Sequence, residues 1–110
     1  MRRGGREDRL ETVVWSPPDE RRRMLSALDA AVRALPGVAC GIVPRKGLPV
    51  LHVISSAEPA RSVEIGGDYL EGAWHFVCAR SGARLGSRAD LARVALAAAE
   101  AVGAPDGHRA

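Results

Sequence analysis

His52, Glu64 and His75 are the residues whose types could do chemistry together. Imidazole nitrogens and carboxylate oxygens bind transition metals, and two His with one carboxylate are a recognised metal set. The same three side chains on a wet sheet face need no ion, because His is a neutral choice there. Their grouping depends on strand register. If Leu51, Val53, Val63, Ile65, Trp74 and Phe76 point to the core, then His52, Glu64 and His75 share the opposite face, with strands about 4.8 Å apart. A slip of one residue removes the arrangement. No metal is therefore assigned, and the three are read as partner-contacting positions on an exposed sheet face.

Cys40 and Cys78 lie far apart in sequence, each inside an apolar stretch, with no CxxC spacing. They read as small buried hydrophobes rather than as a redox pair or zinc ligands. A secreted disulfide scaffold of this size would carry more cysteines. The chain has no nucleophile elbow, Walker loop, dinucleotide fingerprint or HExxH motif. Gly66-Gly67 lacks the helix start that a phosphate cradle needs. The sequence therefore points away from an enzyme and calls for no cofactor.

Arg2, Arg3, Arg6 and Arg9 could contact phosphates, as could Arg21, Arg22 and Arg23. Glu7, Asp8, Glu11, Asp19 and Glu20 are interleaved with them. A solvated, charge-balanced surface explains this mixture as well as nucleic acid does, and the aromatics that stack on single strands are missing. Trp15 stands just before a helix start. It either tucks against the body or lies exposed as a partner-binding residue.

These residues need elements to position them. Ser16-Pro17-Pro18-Asp19 reads as a helix N-terminus, with Ser16 capping and Pro17 at the first helical position. Met24 or Leu25, Leu28, Val32 and Leu35 follow at helical spacing, and Pro36-Gly37 stops the helix. Residues 38–43, 48–54, 61–65 and 73–79 read as strands. The turns between them are expected at Pro44-Arg45-Lys46-Gly47, in the loop 55–60 and at Gly66-Gly67-Asp68, with a further turn at Ser81-Gly82. Ser87-Arg88-Ala89-Asp90 is a capping box. It opens a second helix through Leu91, Val94, Ala95, Ala98, Ala101 and Val102, which Gly103 and Pro105 close. The expected fold is α+β, a two-layer sandwich in which an antiparallel four-stranded meander carries both helices on one face. Residues 1–15 read as a mobile Arg-rich arm, 16–104 as the single domain and 105–110 as a tail.

The chain has 110 residues, enough for one small domain, and only four aromatics to anchor its core. The net charge is +3. Residues 1–23 contribute +2 (seven Arg, five acids) and residues 24–110 contribute +1 (nine bases, eight acids), so the body is almost neutral. Fifteen of the sixteen bases are Arg, and there is no Asn or Gln. That bias fits a GC-rich gene and dilutes any functional reading of the arginines. No signal-peptide-like run follows the charged start, and no apolar stretch approaches the roughly 20 residues of a membrane span. A reduced, cytoplasmic setting is expected.

Val63-Glu64-Ile65, Gly72 to Val77, Gly82 to Gly86 and Ala89-Asp90-Leu91 with the Ala-rich helix behind them resemble small actinomycete proteins of unassigned function. The resemblance covers about residues 61–103. In those proteins an aromatic-rich strand follows a Gly, and a polar turn, an acidic cap and an Ala-rich closing helix come after it. They tend to be encoded beside helix-turn-helix regulators and small signalling proteins. Here His75 stands between Trp74 and Phe76, where a further aromatic is common. The helix–sheet–helix order is also similar to bacterial secretion chaperones and related adaptors, which implies protein binding. The sequence thus supports a non-enzymatic regulatory or adaptor protein that binds another protein, with a homodimer as one form. Two alternatives stand beside it: a nucleic-acid accessory protein using the Arg arm, and a small-ligand or metal binder using the sheet face.

Overall fold

The computed structural model describes residues 17–103. Helix α1 (Pro17–Arg33) leads into strands β1 (Val38–Arg45), β2 (Leu48–Ser55), β3 (Ser62–Leu70), β4 (Ala73–Cys78) and β5 (Arg84–Ser87). A 3-10 turn (Arg88–Asp90) then opens helix α2 (Leu91–Ala101). The fold is α+β, as expected, but the sheet has five strands rather than four. They form an antiparallel meander in chain order. The additional strand, β5, has four residues and pairs with β4 across a register shift at Phe76 and Val77. A segment so short, with Gly86 inside it, carries no readable alternation.

Both helices lie on one face of the sheet. Met24, Leu25, Leu28 and Val32 recur along one side of α1 and are buried, while Arg22, Arg23, Ser26 and Ala30 on its other side are exposed. They pack with Leu51, Val53, Ile65 and Phe76 from the sheet and with Val94, Ala95 and Ala98 from α2. Burying a Leu, Val or Phe side chain contributes about 1.5–3 kcal/mol relative to leaving it exposed. The small side chains of α2 let that helix sit close to its neighbours. Trp74 shares the helix-facing side with Phe76, yet it is only partly buried.

Two connections differ from expectation for a common reason. The β1–β2 turn is only Lys46-Gly47, with φ of +53° and +82°, and Pro44 and Arg45 belong to β1. The β3–β4 turn is Glu71-Gly72, with the same pair of angles. Two positive φ values are the mark of type I′ hairpins, which match strand twist. Gly66-Gly67-Asp68, expected to turn, instead run through the middle of β3. Gly67 is glycine for packing. A Cβ there would meet the Met24 sulfur at 2.9 Å, so its absence lets α1 press against the strand.

A polar latch also ties α1 to β1. The Cys40 thiol donates to Asp29 Oδ1 at 3.0 Å. Arg33 donates to Asp29 Oδ2 at 2.9 Å and to the Cys40 carbonyl at 3.2 Å. Trp15, Ser16 and Arg2, Arg3, Arg6 and Arg9 lie outside the described residues, as does the 105–110 tail.

Candidate functional site

Register decides what the sheet face can assemble. His52 and Glu64 stand directly opposite each other on β2 and β3. His Nδ1 lies 3.1 Å from Glu64 Oε2. Arg45 sits opposite Leu48 on β1, so its side chain crosses over β2 to reach the same oxygen. It donates through Nε at 2.9 Å and through Nη2 at 2.6 Å. The Arg45 guanidinium holds the Glu64 carboxyl below its usual range; burial opposes it, and the His52 bond makes a lesser contribution in the same direction as Arg45. A carboxylate committed to an Arg and a His in this way is a poor general base, because it binds a proton too weakly.

His75 does not join the pair. It stands opposite Asp68, four residues along β3 from Glu64. At about 3.3 Å per residue that is about 13 Å. The expected His52, Glu64 and His75 row therefore forms only in part. Among the described residues, no group of three His, Cys, Asp or Glu is placed to hold a metal ion. The displacement follows from β3 continuing through its two glycines to Leu70 before it turns.

The sheet opens at this point. Pairing between β2 and β3 runs from Ile54–Ser62 to Leu51–Ile65 and stops there, although β2 begins at Leu48 and β3 continues to Leu70. Beyond that pair the two strands are not joined by ladder hydrogen bonds, although the Val50 side chain still lies beside Gly66. Ala79 N–H donates to the Glu64 carbonyl, so the even-numbered backbone groups of β3 point to β4. Those of Gly67 and Tyr69 point into the gap. Arg21 of α1 enters it and donates Nε–H to the Gly67 carbonyl at 2.7 Å. A groove of about 600 Å³ follows the gap and the uncovered face beside it. Val50, Gly66 and Val77 are buried at its floor, while Asp68 and Arg80 are exposed at its rim.

The aromatic residues lie on the other side of the same opening. The Tyr69 ring is edge-on to Trp74, with centroids 5.5 Å apart and planes at 67°. The Arg21 guanidinium stands 5.3 Å from the centre of the Trp74 ring. Tyr69 is 61% exposed. The partner surface expected from sequence, at Trp15, His52, Glu64 and His75, omits Tyr69, because Gly66-Gly67-Asp68 reads as a turn and Tyr69 lies beyond it.

Eight of the ten described arginines stand within 4.0 Å of a carboxylate. Glu20 serves two of them, Arg23 on its own helix and Arg88 before α2. The arginines therefore form no continuous bank of uncompensated guanidinium groups among the described residues. Both cysteines are free and sit on separate strands, β1 and β4. Burial, with Asp29 as the second cause, pushes the Cys40 thiol up to about 12. Cys78 moves the other way, lowered chiefly by the Ser81 hydroxyl and backbone at the β4–β5 turn. Among the described residues, no helix is long and apolar enough to cross a membrane. Comparison with family models, with curated proteins and with solved structures finds no match for the chain.

Proposed function

We propose that the chain is a non-enzymatic protein-binding module of a regulatory or adaptor kind, with its contact surface centred on Tyr69. The observation that carries this reading is the exposed Tyr69 ring held edge-on to Trp74, with Arg21 over the Trp face. Tyr, Trp and Arg dominate the energetics of protein interfaces. A ring already held by a neighbour loses little side-chain freedom on binding, so more of its contact energy is retained. The nearly neutral body and the paired arginines support a protein partner over nucleic acid. The bound state of Glu64 supports binding over acid–base chemistry.

The test is comparative capture from the native cell with the full-length chain and with Tyr69→Ala. Tyr69 is exposed, so circular dichroism of the variant should match that of the parent. The expected result is a partner retained by the parent and held at least about tenfold more weakly by the variant, the loss that about 1.4 kcal/mol produces. Equal capture by both proteins would show that the aromatic cluster is not the contact surface.

A further inference from the structure

We infer that Trp15, in the segment that leads into α1, lies on the exposed face of the Tyr69 ring and covers the contact surface until a partner displaces it. This inference rests on the protein-binding reading and names how that surface is regulated. The course of α1 over the sheet carries it. Toward the end of the helix, Asp29 and Arg33 bond to Cys40, which stands level with Val63 of β3 through Val53. Toward its start, Arg21 donates to the Gly67 carbonyl, and the Met24 sulfur lies 2.9 Å from where a Gly67 Cβ would be. The helix therefore runs against β3, and its N-terminus heads toward Tyr69 and the β3–β4 turn. Pro17 is four residues before Arg21, on the same side of the helix and about 6 Å farther along it. Tyr69 is two residues beyond Gly67, about 7 Å along β3 and on the same side of the sheet. Pro17 thus comes level with Tyr69.

The length of chain before Pro17 selects the occupant. Trp15 is two residues back, a span of at most about 7 Å. An apolar residue just before a helix cap often packs on the fourth helical residue. In α1 that residue is Glu20, whose carboxylate holds Arg23 and Arg88 and offers no apolar contact. Leu48, Tyr69 and Leu96 are the large apolar side chains exposed among the described residues. Leu48 is in step with Val50 and His52 on the other face of the sheet, and Leu96 is on α2. Tyr69 alone stands beside the start of α1, already edge-on to Trp74. A further ring on it gains contact energy beyond the area it buries. Val13 and Val14 extend the apolar run that would accompany Trp15.

The experiment uses nuclear magnetic resonance on the full-length protein and on its Trp15→Ala and Tyr69→Ala variants, whose circular dichroism should match the parent's. A nuclear Overhauser contact between the Trp15 indole and the Tyr69 ring is expected within one molecule. The Trp15 indole N–H signal should move in Tyr69→Ala. A cover closed about two-thirds of the time or more weakens partner binding at least about threefold. Trp15→Ala should therefore hold the protein captured through Tyr69 at least about threefold more tightly than the parent does. Lack of the Overhauser contact, or an indole signal that ignores Tyr69→Ala, would overturn the inference. A contact seen only between isotope-labelled and unlabelled copies would assign Trp15 to a second copy, with the same consequence. Equal or weaker capture by Trp15→Ala would also overturn it, because Trp15 would then be no cover. Tyr69-dependent capture without the Trp15 contact brings down this inference alone. Capture that ignores Tyr69 brings down the protein-binding reading, and the cover with it.

Discussion

The two cysteines are the same residue type in opposite surroundings, and their reactivity should separate accordingly. Cys40 is partly buried beneath α1 and donates its proton to a carboxylate, which keeps the thiol neutral. Cys78 is lowered by hydrogen bonds from Ser81 and its neighbouring backbone, which favour the thiolate. The thiolate is the nucleophile, so alkylation near neutral pH should modify Cys78 well before Cys40. Peptide mass spectrometry of briefly treated protein reads the order, and preferential labelling of Cys40 would contradict the latch. The latch also has a pH consequence. An unfolded Cys ionises near 9.0, whereas folded Cys40 holds its proton to about 12. Between those values the folded state binds the extra proton, so this contribution is complete below 9 and lost as pH rises through the interval. The His52–Glu64 pairing was legible in sequence because alternation along β2 and β3 fixes their faces. His75 was not, because its place depends on where the hairpin turns, and both type I′ turns begin with residues other than the usual Asn or Asp.

The elements were legible where local chemistry sets them. The capping box before α2 is formed as its sequence indicates: Ser87 Oγ accepts from the Ala89 N–H at 3.2 Å, and Asp90 Oδ2 accepts from the Ser87 N–H at 3.0 Å. The equivalent device at Ser16 lies outside the described residues. Illegible were features set by packing between elements. Nothing in the local sequence says that Gly66 and Gly67 run straight under α1, or that the β2–β3 ladder stops early. Gly86 belongs to the same class. It adopts φ +154°, and a Cβ there would come within 2.7 Å of the Val94 side chain. Since Val94 is fully buried, it has little room to yield. Gly86→Ala should therefore cost about 1–3 kcal/mol, combining backbone strain with overpacking. Ser87→Ala, which removes one cap acceptor, should cost about 1 kcal/mol. Chemical denaturation of the two variants gives the ranking. If Ser87→Ala proves the more damaging, then α2 is held mainly by its cap and only weakly by contact with β5.

The molecule has one main core, and its architecture explains how it can leave part of a sheet unpaired. α1 and α2 converge on the same face, so the apolar residues of β2, β3 and β4 meet beneath both. Phe76 is the largest fully buried side chain among the described residues and shares that core with Leu28, Val32 and Val94. At the other end the β2–β3 ladder stops at Leu51–Ile65, and Arg21 takes up the buried Gly67 carbonyl that no strand there pairs with. This division of labour gives Phe76 and Tyr69 contrasting roles, although they lie on the same side of adjacent strands. Phe76→Ala removes a fully enclosed ring, at a cost of about 3–5 kcal/mol. Domains have about 5–15 kcal/mol in total, so the variant should be poorly folded or should melt at a much lower temperature. Tyr69→Ala removes a ring that is mostly in water and should leave the melting temperature nearly unchanged. Paired thermal melts followed by circular dichroism decide between this arrangement and a continuous core. If the two variants lost similar amounts of stability, the aromatic cluster around Tyr69 would be structural, and the surface available for a partner would have to be sought elsewhere on the sheet.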